Sequence, residues 1–398
     1  MAKPRPAIGT PAWYAQHAQA AALRAALTVP GVLGLSNALA LADTLGEQAP
    51  RLLKKHFRRA TDNLREAYPE MPEHEVRALG VRCYQHLFRI GMEFVYTPRL
   101  LSKDSSPRHL AFTDVTPALR ELLQQKKTLL ITGHVGNWEL IGYAISMLGF
   151  PMHAVYRPLD LAPLDEWVYG TRQRRGLTLV SKFGAVRALP PVLERGEPVG
   201  LVADQSGGDR GLFCPFFGRL TSTYKSVGIL AMQSNATIVC GFARRLRPGE
   251  DPPAGAWNET VTGGGTLTDP EHAGGLRYSV EVVDRFGPED WEGQPDRLFY
   301  ITARYRRAIE EMVRRAPEQY FWMHRIWRSR PPHERQNKPF PPQLKDKLLA
   351  LPWMTQESVD ALIERSNRDA AYIQETGGIH TTRPMKPNAS AATPTEPA

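Results

Sequence analysis

The chain has 398 residues, 42% hydrophobic and 23% charged, the balance of a soluble or peripheral globular protein with one large core and appendages. Fifty Lys and Arg against 41 Asp and Glu give a net charge of +9 and a pI near 9.5, which points to an anionic partner: phospholipid headgroups, a phosphorylated ligand, an acidic carrier protein or nucleic acid. The three cysteines, Cys83, Cys214 and Cys240, form no C-x-x-C pair. That count and spacing argue against a disulfide framework and a structural zinc site, and a reducing cytosol fits best.

The first twelve residues read as a disordered arm, followed by helical patterns at 13–27, 35–48, 51–67 and 74–98. Residues 25–42, AALTVPGVLGLSNALALA, carry no charge over 18 positions, just enough to consider a membrane span. Pro30, Gly31, Gly34, Ser36 and Asn37 dilute that stretch. The favoured reading is an uncleaved membrane-associated helix; a buried core helix and a signal peptide are the alternatives. The 51–67 stretch, RLLKKHFRRATDNLREA, sets Leu52, Leu53, Phe57 and Leu64 among Arg51, Lys54, Lys55, Arg58 and Arg59. It reads either as a basic helix lying on an anionic membrane or as the solvated face of a bundle.

From about residue 110 strands alternate with helices. Strands are predicted at 127–132, 152–157, 177–181, 198–204, 236–243 and 276–284, and helices at 137–148, 163–175, 184–195, 221–234 and 296–315. Continuous apolar strands between amphipathic helices predict an α/β fold: a central, mostly parallel or mixed sheet flanked by helices on both faces. Residues 248–275, rich in Gly and Pro, read as a surface loop. The segment after 332 can form two short helices, and residues 388–398 read as a low-complexity, disordered tail. The expected organisation is an N-terminal arm and helical membrane-associating region over 1–108, a catalytic domain over 109–332 and a C-terminal helical extension and tail over 333–398.

The chemistry concentrates in LLITGHVGNWEL, residues 129–140. A His followed by an acid five positions on is expected by chance roughly once in a chain with this many histidines and acids. It occurs twice, at His134/Glu139 and at His109/Asp114. His109 lacks reactive surroundings and reads as surface or packing. A buried strand delivers His134 to the sheet edge, where α/β proteins build their sites. Gly133 and Gly136 allow a tight backbone, and Asn137 is a plausible cap for the next helix. Glu139 in the first turn can fold back on the imidazole, fix its tautomer and support its charge, while helix N-terminal amides face a developing oxyanion. From the residues alone, a catalytic pair and a capped helix with a core histidine both stand. Ser222 and Lys225 have the spacing of a serine–lysine nucleophile but no accompanying motif, and no G-x-S-x-G, G-x-x-x-x-G-K-[ST] or G-x-G-x-x-G occurs. Lys54–Arg59 lacks an aromatic platform for nucleic acid.

ITGHVGNWELIGYA resembles the signature block of the bacterial lipid A late (lauroyl/myristoyl) acyltransferases, within the lysophospholipid acyltransferase superfamily. Further blocks follow in collinear order: Asn63, Leu64, Ala67 and Pro69 in DNLREAYPEM, Arg157 in AVYRPL, Asp204 and Gln205 in RGEPVGLVADQ, then GLFCPFFGRLTST and PEQYFWMHRIWRSRP. The match spans about residues 50–332. The resemblance implies a glycerolphosphate-acyltransferase-like fold and O-acyl transfer from an acyl carrier protein or coenzyme A thioester to a hydroxyl of a membrane lipid, on the cytoplasmic face of the inner membrane. It implies His134 as general base, Glu139 as its orienting partner, and Arg157, Asp204, Gln205 and Asn137 as substrate-binding residues. It implies no metal, no cofactor beyond the thioester co-substrate, and no nucleic-acid partner. PFFG at 215–218 reads either as an acyl-chain wall or as core, and His324 and Arg325 read as structural. An acyl-thioester hydrolase using the same histidine and a catalytically silent lipid-binding protein are the alternatives. The acceptor stays open among lipid A, another glycolipid and a lysophospholipid.

Overall fold

The computed structural model describes residues 6–28, 32–174, 176–253, 256 and 275–377. Helices α1 (Pro11–Thr28), α2 (Leu35–Leu52), α3 (Lys54–Ala67) and α4 (Glu73–Leu100) precede the sheet. The uncharged 25–42 stretch is not one helix. The first helix ends at Thr28, and the second begins at Leu35 after Gly34, whose φ is 76°. Among the described residues no helix is long and apolar enough to cross a membrane. In α2 the small residues Ala38, Ala42 and Gly46 are buried against α4 rather than facing outward. A Cβ at Gly46 would lie 2.5 Å from the Gln85 backbone, so the two helices approach to backbone contact. On α3, Lys54, Lys55 and Arg58 are exposed while Phe57, Ala60 and Leu64 are buried. The basic face looks outward and the apolar face enters the core.

The alternating region forms β1 (Leu110–Thr113), α5 (Thr116–Leu123), β2 (Thr128–Thr132), α6 (Trp138–Met147), β3 (His153–Tyr156), α7 (Ala162–Arg174), β4 (Thr178–Ser181), α8 (Ala185–Glu194) and β5 (Val199–Val202). It continues through β6 (Leu212–Phe216), β7 (Arg219–Thr223), α9 (Lys225–Ser234), β8 (Thr237–Arg245), β9 (Tyr278–Phe286), α10 (Pro288–Trp291) and α11 (Arg297–Arg315). Seven strands make the main sheet in the order β1-β9-β8-β2-β5-β3-β4. The run from β8 to β4 is parallel, and β9 pairs antiparallel with β8. The expected mixed, mostly parallel sheet is what forms. Both faces are covered: Leu129, Ile131, Ile238 and Phe242 pack toward α9 and α11, while Ala243 and Val280 pack toward α5 and α6.

Three local features refine the sequence reading. The 221–234 segment starts as strand and turns helical only at Lys225, because residues 212–223 fold as a separate hairpin, β6–β7. Its two-residue turn, Phe217-Gly218, has positive φ at both positions (51° and 64°), the primed turn that matches strand twist. A bulky residue there is unexpected from turn preferences, and it is held by burial and by its N–H donating to Glu310 Oε2 at 2.7 Å. Strand β1 begins one residue after His109, which is itself buried and hydrogen-bonded through Nδ1 to the Leu276 carbonyl oxygen at 2.8 Å, so His109 packs. Beyond residue 332 the chain forms α12 (Pro332–Arg335), α13 (Pro342–Leu349) and α14 (Gln356–Thr376). The last is a 21-residue helix with a Thr355 cap, longer than expected. Leu348, Leu351, Val359 and Leu362 join the same core as the sheet. The 388–398 tail and most of the 248–275 loop lie outside the described residues.

Candidate active site

Strands β2 and β5 lie side by side and in parallel, with Thr132 opposite Val202. Two residues beyond each stand His134 and Asp204. Equal offsets from one register pair therefore bring the two side chains together at the carboxyl end of the sheet. Asp204 Oδ1 lies 2.7 Å from His134 Nδ1. The Asp204 side chain is 1% exposed and that of His134 is 21% exposed. The Asp204 carbonyl oxygen accepts from Arg306 Nη1 at 2.5 Å, and the Arg306 guanidinium stacks 3.7 Å from the Phe216 ring centroid. Burial pushes the Asp204 carboxyl upward, but the imidazole and the Arg306 guanidinium outweigh it and hold it well below the usual carboxylate range. Burial disfavours the charged form of His134, yet Asp204 and, more weakly, Glu139 raise its pKa above the ordinary 6.5.

Glu139 does not reach the imidazole. Its two carboxylate oxygens accept from Arg172 of α7, Oε1 from Nη2 at 2.5 Å and Oε2 from Nε at 2.9 Å. That bidentate pair ties α6 to α7. Asp204 thus occupies the imidazole contact expected for Glu139, and the His-x4-Glu spacing reports one wall of the site rather than the hydrogen bond to His134.

The backbone around His134 is fixed from two sides. The Phe321 N–H donates to the His134 carbonyl oxygen at 2.9 Å and the Gly136 N–H to that of Gln319 at 3.0 Å, an isolated bridge to the closing block. Gly136 has φ of 60°, and a Cβ there would sit 2.0 Å from the Ala243 carbonyl oxygen. Only glycine fits. Asn137 caps α6 by accepting from the Leu140 N–H at 3.0 Å. Its amide nitrogen donates to Glu93 Oε2 at 3.0 Å, and Glu93 also accepts from the Tyr278 hydroxyl and pairs with Arg245, each at 2.5 Å. Asn137 is 2% exposed and does not line the cavity; it supports the loop from beneath.

A cavity of about 980 Å³ opens at His134. Glu139, Arg157, Arg172 and Gln205 contribute its polar lining, and Leu119, Leu130, Ile141, Ile145, Leu189 and Val239 are among its apolar walls. An elongated hydrocarbon fits such a lining, and a polar headgroup fits the end at the histidine. Arg157 is two-thirds exposed and 3.8 Å from Asp160. Phe216 and Phe217 of the PFFG motif pack on Tyr320 and Trp322 and stand outside the cavity lining, so they are core. Ser222 donates to the Gly208 carbonyl oxygen. The three cysteines are free and buried.

Chain comparison decides the family. A sequence model of the bacterial lipid A biosynthesis acyltransferases matches residues 12–254. The chain belongs to that family. Among similar proteins, the lipid A biosynthesis lauroyltransferase of Escherichia coli K12 is 25% identical over 296 residues, covering 72% of this chain and 84% of the relative. The palmitoleoyltransferase of the same organism is 26% identical over 295 residues, covering 73% and 85%. A lipid A biosynthesis acyltransferase of Haemophilus influenzae is 23% identical over 283 residues, covering 70% and 77%. As a family member the protein is an acyltransferase.

Proposed function

We propose that this acyltransferase moves a fatty acyl chain from a thioester donor, acyl carrier protein or coenzyme A, to a hydroxyl of a membrane glycolipid of the lipid A type, with His134 as base and Asp204 as the group that orients it. The observation that carries this reading is the 2.7 Å contact between Asp204 and His134 Nδ1 at the polar end of an apolar cavity. With Nδ1–H held by the carboxylate, Nε2 takes the acceptor hydroxyl proton as its oxygen attacks the thioester carbonyl. The tetrahedral oxyanion faces the N-terminal amides of α6. Its collapse expels the donor thiolate, which recovers the proton from the imidazolium. The products are an ester and a free thiol, with no acyl-enzyme.

In this reading Glu139 and Arg172 hold the wall that α6 and α7 share, while Arg157 and Gln205 meet the substrate headgroup. The basic outer face of α3 suits peripheral attachment to an anionic bilayer on the cytoplasmic face of the inner membrane, and it suits an acidic carrier protein or coenzyme A equally. The test supplies acyl thioester with and without a lipid A precursor and separates the products. An acylated glycolipid that appears only with the precursor supports the proposal. Free fatty acid formed at one rate in both reactions contradicts it and indicates a hydrolase.

A further inference from the structure

Two arginines at the segment that follows Phe321, Arg59 and Arg325, have no carboxylate to answer them. Arg59 lies in the second turn of α3 and donates through Nη1 to the Met323 carbonyl oxygen at 3.2 Å. One turn further, Asn63 Nδ2 donates to the carbonyl oxygens of Trp322 and His324, both at 2.7 Å. These bonds fasten residues 322–324 to α3. The same segment is fastened to the site through the Phe321 N–H bond to the His134 carbonyl oxygen, and the Phe321 ring lies 6.0 Å from the imidazole. Arg59, His324 and Arg325 are thereby gathered around one short segment that abuts the base.

Arg325 is exposed and Arg59 partly so. Among the described residues neither has an ion-pair partner. Nearby basic groups differ: Arg65 pairs with Asp62 and Glu73, and Arg172 with Glu139. The unanswered charge is felt locally. Burial and then the Arg325 charge lower the Arg59 pKa, and burial together with His134, Arg306 and Arg59 brings His324 down to about 4 despite the Asp204 carboxylate. A carboxylate of the protein would neutralise the pair permanently. Left open, two guanidinium forks and a neutral imidazole offer donors that match a phosphate.

We propose that Arg59, His324 and Arg325 bind a phosphate ester carried by one of the two substrates while that substrate presents its reacting group to His134. The proposal rests on the acyl-transfer reading above. The phosphate has two chemical sources, a phosphorylated lipid headgroup or the pantetheine arm of the donor.

The experiment compares the wild-type protein with the Arg59→Ala/Arg325→Ala double variant. KM is measured for donor and acceptor separately, and inorganic pyrophosphate is titrated by calorimetry. The expected result is pyrophosphate affinity weakened about tenfold or more, one KM raised about tenfold and kcat changed less than about threefold. The substrate whose KM rises carries the phosphate. An Arg59→Lys/Arg325→Lys variant, which keeps the charge, should recover part of both losses, which a merely misfolded variant would not. Two unchanged KM values, or pyrophosphate bound equally well by the double variant, would overturn the site. Absence of acyl transfer by the wild-type protein is a different failure: it removes the functional reading, and the pyrophosphate titration still decides the anion site.

Discussion

At the scale of single residues, the 2.7 Å contact gives Asp204 a larger role than Glu139. Asp204→Asn keeps the volume but loses the carboxylate that fixes the tautomer, and losses from such changes reach about 10⁴-fold where a His–Asp pair serves as base. Glu139→Gln removes a partner of Arg172 and a secondary charge near the ring, so a loss below about tenfold is expected. The pH dependence follows from the same pair. Because His134 titrates above 6.5 in the folded protein, kcat/KM should rise with pH along a limb centred above that value, and Asp204→Asn should move the limb downward. The stability signs are opposite for the two partners. The contribution of His134 is present below its unfolded pKa near 6.5 and is lost as pH rises through the higher folded value. That of Asp204 is present above its unfolded pKa near 3.8 and is lost as pH falls through the depressed folded value. His134 was legible in the sequence because glycines and a strand end mark it. Its partner was named only as a substrate-binding residue, because which strand lies beside β2 is set by long-range packing, and Glu139 was the acid within local reach.

At the scale of elements, strand–helix alternation was legible because apolar runs and amphipathic periods are local signals. The β6–β7 hairpin was not, since its turn places a buried phenylalanine where sequence preference asks for Asn or Gly. The join between β2 and α6 depends on Gly136 and Asn137. Gly136→Ala combines a positive φ with a clash against the Ala243 carbonyl oxygen and should cost about 1–3 kcal/mol or more. Asn137→Ala removes the α6 cap and one donor to buried Glu93, for about 0.5–2 kcal/mol. Urea unfolding midpoints check both values. A neutral Gly136→Ala would mean that the loop backbone is not held against β8 as described.

For the whole molecule, the stretch after residue 332 is bound to the body of the fold by a buried charge network. Asp369 of α14 accepts from Arg219 of β7 at 2.7 and 2.9 Å and from Arg330 at 2.6 Å. Arg330 also pairs with Glu334 at 2.7 and 2.9 Å, and Arg365 of α14 pairs with Glu66 of α3. Asp369→Ala leaves two buried guanidinium groups short of negative charge and should destabilise the fold by about 3–5 kcal/mol. Retained wild-type stability in urea would show that this charge network does not anchor α14. The sequence disclosed two helices here but not their anchorage, because Arg219, Arg330 and Asp369 come from distant segments and carry no shared spacing.

The central claim is that Asp204, rather than Glu139, orients the His134 base. Its most direct test is the single-turnover rate of acyl transfer at saturating donor and acceptor for Asp204→Asn and Glu139→Gln beside the wild type. The account expects a loss of about a hundredfold or more for Asp204→Asn and of less than about tenfold for Glu139→Gln. The reverse order, with Asp204→Asn close to wild type and Glu139→Gln nearly inactive, would contradict it.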